Sequence, residues 1–432
     1  MKCGDGGVVL VHPGKQHAYE VAVALQKVGR LQIFIAGIYY KPESFPYCLA
    51  ARIPLWSGCQ VRRKLSKRTH PELSPRLVHS WPYAELVSRT IGHTRLVRRA
   101  TRGRSGYLFA NWATDLYASR QLTKMQPRPR AVYAFLGAAR RTFERAHDLG
   151  ICTILDVPII FNAMDVLQEE QRALGLSGRI VSASTERLRG ELESADWIVA
   201  PSEAVADSVR AAGFTCERVF VIPFGADVSV FSPGLTQSNQ ARFRVVFAGR
   251  LQARKGPHYL LEAWQNAKLK GELVLAGPPG EEEFVAKVRR LYRGQFVEAG
   301  NLSQAELAAL LASADVFVLP SLAEGSALVS YEALASGVPC VVTREVGSVV
   351  RDGVEGFVIP ARDSEAIRDR LERLYNDAEL RRRMAGAALA RSREFTWQRY
   401  HRELAGVIDH VLRVDPGPQV AAEDRASEAC RQ

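Results

Sequence analysis

The chain has no run approaching the ~20 consecutive apolar residues that a membrane-spanning helix needs, although 47% of its 432 residues are hydrophobic. A helical span is therefore excluded, while ample apolar material remains for well-filled cores. There is no Cys-x-x-Cys pair. The seven cysteines are odd in number and scattered, at 3, 48, 59, 152, 216, 340 and 430. Such spacing argues against a structural zinc site and for reduced thiols. The opening MKCGDGG leads directly into an apolar strand without the pattern of a signal peptide, so a cytoplasmic protein is expected. The first strand–loop–helix also lacks Gly-x-Gly-x-x-Gly, which removes support for a nicotinamide or flavin dinucleotide; no cofactor and no metal are expected. Finally, acidic residues are scarce in one place. Between Gln60 and Ser105 twelve Lys or Arg face only Glu72 and Glu85, so this segment holds +10 of the net +12. A localised cationic face suits a lipid surface, a phosphorylated acceptor or nucleic acid, and is equally compatible with a solvated basic loop. No recognised nucleic-acid module surrounds it, so nucleic acid is the weakest of these partners.

What is present is length for two domains and a strand–helix alternation in each half. Residues 1–230 read as one Rossmann-like domain, carrying a basic insertion at about 40–130. Within it, helices are expected to place Leu86, Ile91, Leu96 and Val97 on an apolar side. Residues 231–241, with Pro233 and Gly234, read as a linker. Residues 242–394 form a second domain, 395–413 a closing helix, and 414–432 a polar tail expected to be disordered. Strands alternating with helices imply parallel sheets with right-handed crossovers, so the fold class is α/β with two doubly wound domains.

The chemistry concentrates in three loops. ADVFVLPSLAEGSALVSYEALASGVPCVV (314–342) reads as strand, loop, helix, strand, with Glu324 in the loop and Glu332 on the helix. Ligands of open α/β sheets bind at the carboxyl ends of strands beside helix N-termini, where N–H groups meet phosphate and carboxylates accept sugar hydroxyls. GRLQARKG (249–256) places Arg250 and Lys255 at the carboxyl edge of another strand, two cations suited to a diphosphate. The loop after the first strand reads His12-Pro13-Gly14-Lys15-Gln16-His17 and should face the cleft between domains. His17 there is a candidate catalytic group; its structural alternative is a helix cap.

Together IPFGADVSVFSP (222–233), GRLQARKG (249–256), LVLAGPPG (273–280) and NLSQAELAALLASADVFVLPSLAEGSALVSYEALASGVP (301–339) resemble the retaining glycosyltransferases of family 4. VRDGVEGFVI (350–359) and FTWQRYHREL (395–404) extend the match over roughly 200 residues of the C-terminal half. The resemblance implies the GT-B fold, two Rossmann-like domains facing a central cleft, with the closing helix crossing back to the N-terminal domain. It implies a nucleotide-diphosphate sugar as donor and a glycan or lipid-linked acceptor. Arg250 and Lys255 would hold the diphosphate, Glu332 the ribose and Glu324 the transferred sugar. Backbone N–H groups of Ser326, Ala327 and Leu328 would complete the cradle. Asn301 and Leu302 would flank the base, and Gly14 would lie at the donor from the other domain.

The sequence departs from the family pattern on the acceptor side. The first loop carries no Gly-Gly pair, VYAFLGAARR (132–141) lacks the histidine usual there, Gly-Ser-Ala-Leu stands after Glu324, and Thr-Arg-Glu-Val-Gly-Ser occupies 343–348. A nucleotide-sugar epimerase, a sugar phosphorylase and a catalytically impaired nucleotide-sugar-binding protein are the competing readings.

Overall fold

A computed structural model of the chain describes residues 6–15, 17–45, 47–48, 65–66, 68–91, 106–176, 185–233 and 242–414. The first half opens with β1 (Val8–His12), α1 (Ala18–Lys27), β2 (Leu31–Ala36), β3 (Val78–Ser80), α2 (Tyr83–Ile91) and α3 (Gly106–Leu122). It continues through β4 (Ala131–Phe135), α4 (Arg140–Asp148), β5 (Cys152–Asp156), α5 (Ala163–Ala173), α6 (Thr185–Glu193), β6 (Trp197–Ala200), α7 (Glu203–Ala211) and β7 (Val219–Val221). These strands form one parallel seven-stranded sheet in the order β3-β2-β1-β4-β5-β6-β7.

The second half contains β8 (Phe243–Ala248), α8 (Pro257–Ala267), β9 (Gly271–Ala276), α9 (Glu282–Leu291), β10 (Val297–Gly300), α10 (Gln304–Ala312) and β11 (Val316–Leu319). There follow α11 (Leu328–Ala335), β12 (Cys340–Thr343), β13 (Gly356–Ile359), α12 (Ser364–Asn376), α13 (Ala378–Glu394) and α14 (Trp397–Arg413). Its parallel six-stranded sheet runs β10-β9-β8-β11-β12-β13. The central strands are unbroken apolar runs because helices cover both faces: every residue of β1, β4, β11 and β12 is buried.

Strand order reverses between β1 and β4 in one sheet and between β8 and β11 in the other. Crossovers from these pairs leave in opposite directions, so a crevice opens at the carboxyl ends of the strands, and this is where ligands settle in such sheets. The expected site loops lie at these ends. A capping box at Ser303–Glu306 opens α10, with each side chain bonded to the other's backbone N–H.

Two expectations need correction. The stretch at 40–130 is not one insertion: β3 adds an edge strand to the first sheet, and α3 packs on α4 and beside β1 as part of the domain. Its polar, turn-rich sequence hides these elements. Phe231, assigned to the linker, is buried in the core. The remainder of that linker from residue 234, the tail from 415 and most of the basic segment fall outside the described residues. Of the apolar side expected for the basic helices, Leu86 is 39% exposed; the side chains of Ile91, Leu96 and Val97 lie outside the described residues.

The helix α14 returns to the first domain and packs along α1. His401 meets Glu20 at 2.8 Å, Arg30 meets Asp409 at 3.0 Å, and Arg130 bonds the Leu412 carbonyl.

Candidate active site

A cleft of about 770 Å³ lies between the sheets. His17, Lys255, Asn301, Leu302, Glu324, Ser326, Ala327, Leu328 and Glu332 all line it. Residues up to 315 positions apart in sequence thus converge because each follows the carboxyl end of a strand or opens the next helix.

The donor-side half is built on β8 and β11. After β8, Gly249 adopts φ +157°, and a Cβ there would stand 2.8 Å from Cδ of Lys255. Glycine lets the lysine stem lie against the strand end, and the short 3₁₀ turn Ala253–Lys255 returns the chain so that the ammonium enters the cleft. Lys255 Nζ meets Glu324 Oε1 at 2.8 Å. Arg254, which the sequence reading did not single out, meets the same oxygen at 2.9 Å and also bonds the Ala323 carbonyl. Burial pushes the Glu324 carboxyl up, but Lys255 and Arg254 outweigh it and hold the group below its ordinary range. Glu324 is therefore ionised at neutral pH.

Arg250 is placed differently. Its guanidinium is exposed, bonds the Pro279 carbonyl at 3.1 Å, and does not line the cleft. Gly14 likewise stays outside the lining and packs against the His12 ring. Lys15 sets its ammonium over the Tyr19 ring, 5.8 Å from the centroid.

The start of α11 corrects the expected cradle at Ala327. The Ala327 N–H donates to the Val346 carbonyl at 3.1 Å and is spent on protein. The Ser326 hydroxyl is engaged by Tyr331 Oη at 2.7 Å and the Gly347 carbonyl at 2.9 Å. Leu328 and Val329 line the cleft with first-turn N–H groups that have no acceptor within the helix. One turn on, Glu332 has a carboxyl pushed up to about 7 by burial. Without an opposing cation, it sits near half-ionised at neutral pH.

The other wall comes from the first domain: Leu108, Asn111, Leu136, Gly137, Pro158 and Ile159, with Met164 and Leu188 behind them. At its edge His17 opens α1, buried, its ring 5.1 Å from that of Phe135 and 4.5 Å from that of Phe224. Its Nε2 lies 2.9 Å from Asp156 Oδ2, which also accepts the Tyr133 hydroxyl at 2.6 Å. His12 is buried beside it, and burial, with His17 and Arg68 nearby, lowers its pKa to about 3. His12 is thus a neutral packing residue against Phe135, at 4.3 Å between centroids.

The two walls touch at Glu324–Gly325. Ile160 N–H donates to the Glu324 carbonyl at 3.0 Å, and Ser202 Oγ donates to the Gly325 carbonyl at 2.5 Å. A Cβ on Gly325 would come within 1.7 Å of the Pro158 carbonyl, so glycine is required for the approach. Among the described residues no group of three His, Cys, Asp or Glu is arranged to hold a metal ion, and no helix is long and apolar enough to cross a membrane.

Residues 242–377 match the family described as glycosyl transferases group 1. The matched residues lie within the second domain. Over 234 residues the chain is 30% identical to the D-inositol 3-phosphate glycosyltransferase of Paenarthrobacter aurescens, covering 48% of this chain and 56% of that protein. It is 30% identical over 267 residues to the enzyme of the same name from Xylanimonas cellulosilytica, covering 56% and 64%. The chain thus spans little more than half the length of these curated relatives. Among solved structures, sucrose-phosphate synthase from Thermosynechococcus elongatus superposes with a TM-score of 0.62 at 16% identity, over 95% of this chain and 100% of that one. Anabaena HepE in complex with UDP superposes with a TM-score of 0.61 at 15% identity, over 94% and 100%. The chain thus has the GT-B fold, two parallel-sheet domains facing a cleft.

Proposed function

We propose that the chain transfers a sugar from a nucleotide-diphosphate sugar to a hydroxyl acceptor, with retention at the anomeric carbon and without a metal ion. The observation that carries this is the convergence of Lys255, Glu324, Glu332 and the first turn of α11 in one interdomain cleft. Lys255 and the helix N-terminus take the diphosphate, joined by Arg250 turning in from the rim. Glu332 accepts from the ribose hydroxyls and Glu324 from the sugar. Asn301 and Leu302 flank the base, and His17 faces the reacting centre from the other domain. The acceptor oxygen attacks C1 on the face from which the diphosphate leaves. The C1–O(phosphate) bond breaks, the C1–O(acceptor) bond forms, and the acceptor proton passes to the departing phosphate oxygen.

Support for a uridine donor comes from HepE, solved with UDP and with UDP-glucose. The apolar wall of Leu108, Leu136, Ile159, Met164 and Leu188 favours a glycan carried on a lipid or another amphiphilic acceptor. Phe45 and Tyr83 stand 68% and 48% exposed on the domain that bears the basic segment 60–105. This combination suits peripheral contact with an anionic membrane from the cytoplasmic side. No cofactor beyond the sugar donor is needed.

The test is a panel of UDP-glucose, UDP-N-acetylglucosamine and GDP-mannose, read by thermal shift and by slow hydrolysis to free sugar. One donor is expected to stabilise the protein and release sugar. Absence of both effects across the panel and the corresponding ADP and dTDP sugars overturns the proposal.

A further inference from the structure

Behind His17 stands a carboxylate that receives two groups on one oxygen. Asp156 closes β5 and is 1% exposed. Its Oδ2 lies 2.9 Å from His17 Nε2 and 2.6 Å from the Tyr133 hydroxyl, while Oδ1 is buried without a partner. Removing a carboxylate from water with one oxygen unserved is costly, and such an arrangement persists where it has work to do. His12 gives the contrast within the same loop. It is equally buried, both its ring nitrogens lack partners, and it does not line the cleft. A buried carboxylate thus stands only behind the histidine of this pair that reaches the ligand space.

We propose that Asp156 is a positioning residue that fixes His17 in its Nε2–H tautomer, so that Nδ1 accepts a hydrogen bond from a substrate hydroxyl in the cleft. The chemistry follows from the partners. An ionised carboxylate has acceptor sites alone, so the nitrogen that meets it carries the proton. Which nitrogen of a histidine holds the proton is set by the bond the other makes. Tyr133 donates to the same oxygen and holds the carboxylate in place. The rings of Phe135 and Phe224 confine the imidazole, so it cannot turn to exchange its two nitrogens. With Nε2 committed, Nδ1 is the ring's remaining polar atom in a residue that lines the cleft. A hydroxyl on a sugar ring or on the acceptor satisfies it equally.

This rests on the glycosyl-transfer reading for the identity of the ligand, but the tautomer can be measured without any ligand. Nitrogen-15 NMR on histidine-labelled full-length protein, with His17 assigned by its loss in His17→Gln, should show protonated Nε2 and bare Nδ1. Asp156→Asn should lose this single tautomer, while Tyr133→Phe should keep it. With whichever donor of the panel is turned over, Asp156→Asn should lower kcat at least about tenfold. Its KM for the donor and its affinity for UDP should stay within about twofold, which a merely structural lesion would not respect. An Nδ1 shift on adding the donor that is turned over, but not its bare nucleoside diphosphate, assigns the hydroxyl to the donor sugar. Protonated Nδ1 in the wild type overturns the proposal, as does a wild-type kcat in Asp156→Asn. If Asp156→Asn does not fold, the wild-type tautomer alone decides. Failure of every donor in the panel would sink the glycosyl-transfer reading and leave the NMR result standing by itself.

Discussion

At the scale of single residues, the two carboxylates of the cleft have opposite electrostatics, and this separates their roles. Glu324 shares its charge with Lys255 and Arg254. A diphosphate entering the cleft competes with Glu324 for those cations. Glu324→Gln should therefore bind bare UDP at least as tightly as the wild type while losing sugar-donor turnover. Lys255→Ala should weaken UDP and cut turnover by about a hundredfold. Titration calorimetry decides this, and a marked loss of UDP affinity in Glu324→Gln refutes the assignment. Glu332 behaves otherwise, because its pKa of about 7 arises from burial alone. With a folded pKa above the unfolded one near 4.5, its stabilising contribution is full below pH 4.5 and is lost as pH rises through 7. Glu332→Gln should thus raise the melting temperature of the ligand-free protein above pH 7, by the equivalent of ~1–3 kcal/mol, with little gain at pH 4.5. UDP should bind more tightly to the wild type as the pH rises from 6 to 8, since the ionised form is the better ribose acceptor. A flat profile in both measurements would remove Glu332 from the ribose site. Which cation faces the cleft was not legible in GRLQARKG. The 3₁₀ turn at Ala253–Lys255 decides it, and spacing does not encode that turn.

At the scale of elements, buried parallel strands announce themselves as apolar runs, and the central strands of both sheets are legible in the sequence as such runs. The sequence reading also finds α1 and α11 from their helical spacing and stop signals, and α14 from the family resemblance. Edge strand β3 and helices α3, α5 and α6 escaped it, because a three-residue edge carries too little period to read and α3 has no polar face to set one. The pairing of His17 with Asp156 joins residues 139 apart and is a product of sheet order, as is the spending of the Ala327 N–H on Val346. No local pattern encodes either. The α1–α14 contact carries its own test. Glu20 accepts from His401 at 2.8 Å and lies 3.3 Å from His70. Burial raises the Glu20 carboxyl, but the two histidines lower it further, to about 2. Its stabilising contribution is thus present above pH 4.5 and lost as pH falls toward 2. Glu20→Gln should cost about 1–2 kcal/mol at pH 7 and almost nothing near pH 2, read by chemical denaturation. An equal cost at both pH values would mean that packing, not charge, fastens α14.

At the scale of the molecule, the cleft exists only while two sheets face each other, and polar ties across the domains join a shared apolar core in holding them there. Beyond the Ile160–Glu324 and Ser202–Gly325 bonds, one buried tie is Glu170 on α5. It is 2% exposed and reaches into the second domain, where His258 Nε2 and the Tyr259 hydroxyl meet Oε1 at 2.8 Å and Arg362 Nε meets Oε2 at 3.0 Å. Burial pushes this carboxyl up, but His258, Arg362 and Tyr259 together bring it down to about 2. The folded value lies below the unfolded one, so the tie holds above pH 4.5 and weakens progressively toward pH 2. Met164, one turn and a half earlier on the same helix, lines the cleft. Loosening Glu170 therefore moves a wall of the site. Glu170→Ala leaves Arg362 and His258 facing each other without the carboxylate, an outcome more costly than the loss of one hydrogen bond. The variant should show a larger radius of gyration by small-angle scattering at pH 7, resembling the wild type brought to pH 2. Its KM for donor should rise while each domain keeps its own secondary structure by circular dichroism. Saturating UDP should restore part of the compact profile, since a ligand bound to both walls favours the closed arrangement by its differential affinity. Scattering identical to the wild type, with unchanged KM, would show that the apolar contacts of the two domains suffice and that Glu170 is a passive buried group.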